Sequence, residues 1–266
     1  MKKLMIAAAA AVCGSVFALE SANVVGYSNK ALTQGKFKVI CTQFQTVGVD
    51  ADKMTLGDFV PGGTWALTDS IKIFADNSAV EMEAIYVDEA NLVRLQSRYP
   101  DATVGWYSKA DKTYSNNLNT KAMPLGTSVM AYTSKATSYI TFAGQVVTTE
   151  DDKITYTLTQ GKFAMVGNCT PVDLTLGDFV PGGAWALTDS IKIFADNSAV
   201  EMEAIYVDEA NLVRLQTRFP DATVGWYSKA DKTYSNNLNT RPVAAGEGFM
   251  AYTSKVGATI SIPTAL

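Results

Sequence analysis

Glu81 and Glu83 stand two residues apart in Val80-Glu81-Met82-Glu83-Ala84-Ile85-Tyr86-Val87. On an extended strand this spacing puts two carboxylates on one face about 7 Å apart. That lies inside the separation at which an acid and a base hydrolyse a glycosidic bond with inversion. The chain has no histidine, which excludes Ser-His and Cys-His dyads and imidazole metal sites. Carboxylates are what remains for general acid–base work, and Asp58, Asp69, Asp76, Asp88 and Glu89 complete the set. Two like charges at i, i+2 are also ordinary on a solvated strand face. That plainer reading outweighs a glycoside hydrolase.

Three other constellations bear on binding. Asp76-Asn77-Ser78 and Asp88-Glu89-Ala90-Asn91 offer the oxygen ligands calcium uses, but neither has the central glycine and terminal glutamate of a calcium loop. No metal site or cofactor is assigned, and a loop-held Ca²⁺ is only a weak option. Trp65, Trp106, Tyr107 and Tyr114 recur as Trp185, Trp226, Tyr227 and Tyr234. Such rings either stack on sugars or fill a core. Trp106 shares a face with Val104 and reads as core. Tyr107 and Tyr227 face the other way and read as exposed, so Tyr107, Tyr227, Tyr114, Tyr234, Trp65 and Trp185 are the candidate ligand-binding residues. Cys41 and Cys169 lie near the same point of two repeated units, two residues out of register. One disulfide joining the halves and two buried free thiols are both consistent with the sequence.

An internal duplication organises these residues. Residues 55–120 recur as 175–240 with three differences, Thr64/Ala184, Ser97/Thr217 and Tyr99/Phe219. Upstream, Leu32-Thr33-Gln34-Gly35-Lys36-Phe37 recurs as 158–163 at an offset six residues larger, which places the length difference in the loop Gln43 to Lys53. Downstream, Met130 to Lys135 recurs as Met250 to Lys255. Self-similarity at this scale means two copies of one folding unit.

Within a unit the apolar period is two. Val80, Met82, Ala84 and Tyr86 share one strand face, with Glu81 and Glu83 opposite. Ser70–Phe74 alternates likewise, and 38–41, 103–108, 129–132 and 139–142 are further β-prone runs. Turn clusters such as Pro61-Gly62-Gly63 and Ser115-Asn116-Asn117 separate them. The one helix expected is a turn or two over 88–96, with Asp88 as its cap and Leu92 and Leu95 as its apolar pair.

Met1-Lys2-Lys3, the apolar run to Val12 and Val16-Phe17-Ala18 have the form of a signal peptide cleaved after Ala18. The run is too short to span a bilayer, and Cys13 follows a residue too large for a good lipoprotein site. Cleavage leaves 20 basic against 26 acidic residues, a balance of −6 where the full chain carries −4. An acidic chain without a basic block offers no footprint for nucleic acid or anionic lipid. No later segment reaches transmembrane length.

Three stretches resemble a family. Ala22-Asn23-Val24-Val25-Gly26-Tyr27 follows the leader, and Gly161-Lys162-Phe163-Ala164-Met165-Val166-Gly167-Asn168 and Gly246-Glu247-Gly248-Phe249-Met250-Ala251-Tyr252 bracket the second unit. These resemble the "ANVVGY" start, "GF-x-MIGN" strand and "GEGFWVY" strand of uncharacterised secreted β-repeat proteins of Verrucomicrobia-type bacteria. In the first unit Gly35 to Cys41 departs from the "GN" ending. The resemblance implies an exported β-sandwich-like module and carries no functional residues.

The resulting expectation is an all-β chain of two tandem homologous β-sandwich or barrel-like domains. The leader is 1–18, with units at 19–145 and 146–266 packed with pseudo-two-fold or translational symmetry. The expected role is non-catalytic: a structural, adhesive or assembly protein, secreted, periplasmic or on the bacterial surface. Its partners would be other copies of itself or an extracellular polysaccharide. A carbohydrate-binding module pair is the alternative, and a glycoside hydrolase the lesser one.

Overall fold

The computed structural model describes residues 25–45, 54–74, 80–123, 126–146, 153–194 and 200–264. The expected leader, Asp76-Asn77-Ser78 and the side chain of Glu81 lie outside the described residues. The first unit contains β1 (Val25–Ala31), β2 (Phe37–Cys41), β3 (Phe44–Gln45), β4 (Val60–Gly62), β5 (Ser70–Phe74) and β6 (Val80–Val87). Helix α1 (Glu89–Gln96) follows, then β7 (Gly105–Ser108), β8 (Ser128–Tyr132) and β9 (Tyr139–Val146). The second unit repeats this order in β10 (Lys153–Thr157), β11 (Phe163–Gly167), β12 (Leu174–Thr175), β13 (Val180–Gly182), β14 (Ser190–Phe194) and β15 (Val200–Val207). It is completed by α2 (Glu209–Gln216), β16 (Gly225–Ser228), β17 (Pro242–Val243), β18 (Gly248–Tyr252) and β19 (Thr259–Pro263).

The fold is all-β and duplicated. One antiparallel sheet of five strands runs β2-β8-β5-β6-β7, and its copy runs β11-β18-β14-β15-β16. A smaller sheet faces each. In the first unit β1, β3 and β4 all pair with β9, and in the second β19 lies between β10 and β13.

Alternation along the strands explains the packing. Ile71, Ile73, Ala84, Trp106, Val129 and Ala131 point from the large sheet toward Ile140, Phe142 and Val146 of the small one, with Leu56 and Phe59 between. Sheet-on-sheet burial of this kind is the sandwich solution to two half-apolar surfaces.

The second face of the large sheet departs from the expectation of a solvated carboxylate face. Ile85 and Val87 share that face with Glu83 and are buried. They pack with Tyr107, Leu67, Tyr114 and the α1 residues Leu92 and Leu95. Helix α1 therefore forms a third layer over the sheet end. Asp88 starts it, its Oδ1 accepting a hydrogen bond from the Asn91 amide at 2.7 Å, as an N-cap carboxylate does. The same cap and apolar cluster recur around α2.

The six-residue length difference also has a structural form. In the first unit part of the longer loop is β3, where Phe44 pairs with Val146 and its side chain enters the core. In the second unit the shorter connection makes the small ladder β12–β17. The first unit has there the single bridge Thr55–Ala122.

The units meet at the ends of the large sheets. Strand β2 packs against β18, β11 against β8, β2 against β11 and β8 against β18. That reciprocity is the mark of a two-fold-like arrangement rather than a translational one.

Candidate functional site

The aromatic residues expected to face solvent do not. Tyr107 and Tyr227 are each 1% exposed and Trp65 and Trp185 are buried, while Trp106 and its repeat Trp226 are buried as the core reading of Trp106 expects. Strand alternation placed Tyr107 on the correct face, but α1 and its flanking loop cover that face. The Tyr107 hydroxyl accepts from the Thr103 amide at 3.0 Å, donates toward the Thr103 carbonyl at 3.1 Å and lies 3.4 Å from Asn117 Nδ2. Its ring meets Tyr114 edge-on, 5.5 Å between centroids. Trp106 donates its indole N–H to the Phe59 carbonyl at 2.9 Å and meets Trp65 edge-on at 6.1 Å. Every one of these contacts recurs in the second unit.

Tyr114 and Tyr234 are half-buried and lie in the left-handed backbone region, at φ 52° and 53°. A non-glycine residue is held there only when its surroundings over-determine it. Asp111 supplies that constraint. Its Oδ1 accepts from the Thr113 amide and hydroxyl, and its Oδ2 from the Ser115 and Asn116 amides, all between 2.6 and 3.1 Å. These bonds, led by the Thr113 hydroxyl, hold the Asp111 carboxyl at about 2. Beyond it, Asn117 Oδ1 accepts from the Asn119 amide and Asn119 Oδ1 accepts from the Trp106 amide, tying the loop to β7. The turn cluster Ser115-Asn116-Asn117 marks this loop in the sequence, and the Asp-x-Thr pattern at 111–113 is the signal that bears on Asp111 itself.

Four of the other candidate carboxylates have structural partners. Asp58 Oδ2 accepts from the amide and hydroxyl of Thr55. Asp69 is fully buried and accepts from the Ala66 and Ser134 amides and the Thr133 hydroxyl. Glu83 Oε1 accepts from Ser70 Oγ and Lys109 Nζ, each at 2.7 Å. Partial burial pushes the Glu83 carboxyl up, but the Lys109 and Ser70 hydrogen bonds outweigh it and leave it below its ordinary value. A general acid needs the opposite shift. Asp88 is the α1 cap, and Asn91 Nδ2 of the same stretch donates to the Trp65 carbonyl at 3.3 Å. Among the described residues no group of three or more metal-ligating side chains comes together.

The chain's distinctive chemistry lies at the seam between the units. The Cys41 amide donates to the Gly246 carbonyl at 2.8 Å, and Ile40 bridges to Glu247. Gln43 Nε2 reaches the Thr170 carbonyl at 3.1 Å, and Lys30 Nζ donates to the Ala245 carbonyl. Burial holds the Lys30 ammonium below its ordinary value. A Cβ on Gly248 would stand 2.6 Å from Val39 Cγ1 and 2.8 Å from Ser128 Oγ, so the seam closes only because that residue has no side chain. Cys41 and Cys169 are free thiols, both fully buried, and they lie within hydrogen-bond reach of each other. The Tyr156 hydroxyl lies 2.9 Å from Cys169 Sγ and 2.9 Å from the Gly167 carbonyl.

Three of the exposed apolar side chains belong to the small sheets, and the others, Val93, Val213, Val172 and Val256, to the two helices and to loops. Tyr27 of β1 is 67% exposed, and Val60 and Val180, at matching places on β4 and β13, are about half exposed. Strands β1 and β10 are edge strands, without a partner on their outer sides among the described strands. In the second unit a cleft of about 370 Å³ opens beside β13, lined by Val180, Pro181, Ile262 and Pro263 with Lys153 and Asp178 at its rim. No helix among the described residues is long and apolar enough to cross a membrane. Comparison with protein-family models, curated proteins and solved structures found no match for this chain.

Proposed function

We propose that this chain is a non-catalytic structural or adhesive β-repeat protein of the cell exterior that works by associating with copies of itself. The observation that carries the reading is where the polar and aromatic side chains go. In both units Asp58, Asp69, Glu83, Asp88 and Asp111 and their counterparts cap turns, brace strands or order loops, and the four tryptophans with Tyr107 and Tyr227 fill cores. Main chain and small apolar patches are left for recognition, and the two units already recognise each other through main-chain contacts at their seam. Exposed strand edges are the parts of a β protein that pair with other chains. The leader-like start and the resemblance to secreted β-repeat proteins supply the proposed location.

Carbohydrate binding is the second reading. It rests on Tyr27, which shares the outer sheet face with Asn29 and Thr141, and no longer on Tyr107. Sedimentation velocity across a concentration series, on the chain and on a Tyr27→Lys/Val180→Lys variant, tests the proposal. Association that rises with concentration and is abolished by the two lysines is expected. A monomer at every concentration that is retained by a polysaccharide would overturn it in favour of the second reading.

A further inference from the structure

Cys41 and Cys169 do not occupy equivalent places in the two units. Strand pairing sets Cys41 opposite Ser128 and Gly167 opposite Gly248, so Gly167 is the repeat counterpart of Cys41. Cys169 lies two residues further on. Duplication alone therefore does not bring the thiols together; docking of the units does. The Cys41 side chain joins the apolar core of the second unit rather than its own.

We propose that Cys41 and Cys169 form an inter-unit disulfide, made by exchange with a disulfide donor before the seam closes. The step balances with a donor R–S–S–R. One of the two thiolates attacks a donor sulfur and expels R–S⁻, and the other then attacks the protein sulfur of that mixed disulfide and expels the second R–S⁻. The two thiol protons pass to the two leaving thiolates, the protein pair is oxidised and the donor is reduced to two R–SH.

Access sets the order of events. Both thiols are fully buried, so neither a small donor nor an oxidoreductase reaches them in the docked chain. Exchange belongs to the undocked state, and docking then shields the product from reductant. The bond would fasten the two large sheets at the point where Cys41 already pairs with Gly246.

The test uses the full chain with Cys13→Ser, so that only the two thiols remain. It is refolded across a series of reduced-to-oxidised glutathione ratios, approached from both the reduced and the oxidised side. A parallel series is held in denaturing guanidinium chloride. Acid quenching, alkylation and mass spectrometry then give the fraction in which peptides containing Cys41 and Cys169 are linked.

In buffer the half-oxidised point is expected at a ratio at least about tenfold more reducing than in denaturant, because the fold raises the effective concentration of one thiol at the other. An equal or less reducing midpoint would overturn the proposal, as would glutathione adducts or inter-chain links in place of the 41–169 pair. The single variants Cys41→Ser and Cys169→Ser, checked for native circular dichroism, set the yield of adducts for an unpaired thiol.

Discussion

Replacing Tyr107 separates a core residue from a ligand platform. The side chain is 1% exposed, its ring packs on Ile85, Val87, Leu67 and Tyr114, and its hydroxyl meets Thr103 and Asn117. Truncating a buried aromatic ring to alanine costs about 3–5 kcal/mol. The lost hydroxyl adds little, because Thr103 is exposed and water can replace its bond. Tyr107→Phe keeps the ring and should cost only about 1 kcal/mol, the net worth of an ordinary hydrogen bond. Tyr227→Ala and Tyr227→Phe should repeat both values, since their contacts repeat. The assay is urea unfolding followed by circular dichroism and tryptophan fluorescence, with the slope compared among variants to confirm that the same surface unfolds. Loss of less than about 0.5 kcal/mol for Tyr107→Ala would place the ring at the surface and refute the three-layer account of this unit. Any ligand-binding defect of the alanine variant would report unfolding, so the phenylalanine variant is the one to use in binding work.

Further outcomes follow from single contacts. Asp88→Ala removes the α1 cap and should cost about 1 kcal/mol, read as an earlier urea midpoint, while Asp88→Asn should cost less. Asp111 has a folded-state pKa of about 2 against an ordinary 3.8. Its depressed value means that its stabilising hydrogen bonds are fully present above pH 3.8 and are lost as pH falls through about 2. An NMR titration of the Thr113, Ser115 and Asn116 amides should show their shifts moving together in that window, and a midpoint near 3.8 would contradict the loop geometry. Gly248→Val drives a side chain into Val39 and Ser128. Overpacking should cost about 1–3 kcal/mol and raise the native-state alkylation rate of reduced Cys41 and Cys169, measured by mass spectrometry.

Much of the fold was legible because it depends on local pattern. The alternation in Ser70–Phe74 and Val80–Val87, the Asp88 cap and the face shared by Val104 and Trp106 each describe a local choice that the tertiary structure keeps. The burial of Tyr107 was not legible in this way. Alternation says which face a side chain takes, but not that a helix a dozen residues earlier folds back over that face. The role of Asp111 was hidden because four hydrogen bonds to one carboxylate require a loop conformation that no period announces. The seam was hidden for a different reason. Cys41 and Cys169 are out of repeat register, so only the docking of the two large sheets shows that they meet.

The three differences inside the near-identical block show what the repeat preserves. Thr64 Oγ1 accepts a hydrogen bond from the Thr137 hydroxyl at 3.2 Å. In the second unit both partners change together, to Ala184 and Gly257. Ser97 and Thr217 keep the same bond, each hydroxyl donating to the arginine carbonyl three residues earlier, at 3.2 and 2.8 Å. Tyr99 and Phe219 both stack on the strained tyrosine of the next loop, with centroids 5.1 and 5.2 Å apart, and an arginine lies over each ring. The hydroxyl that Phe219 lacks makes no hydrogen bond that the stack requires. Each difference therefore either leaves an internal contact intact or removes both of its partners. A repeat kept to that standard is kept as a packing unit, which is consistent with the proposal that association uses the strand edges rather than the repeated interior.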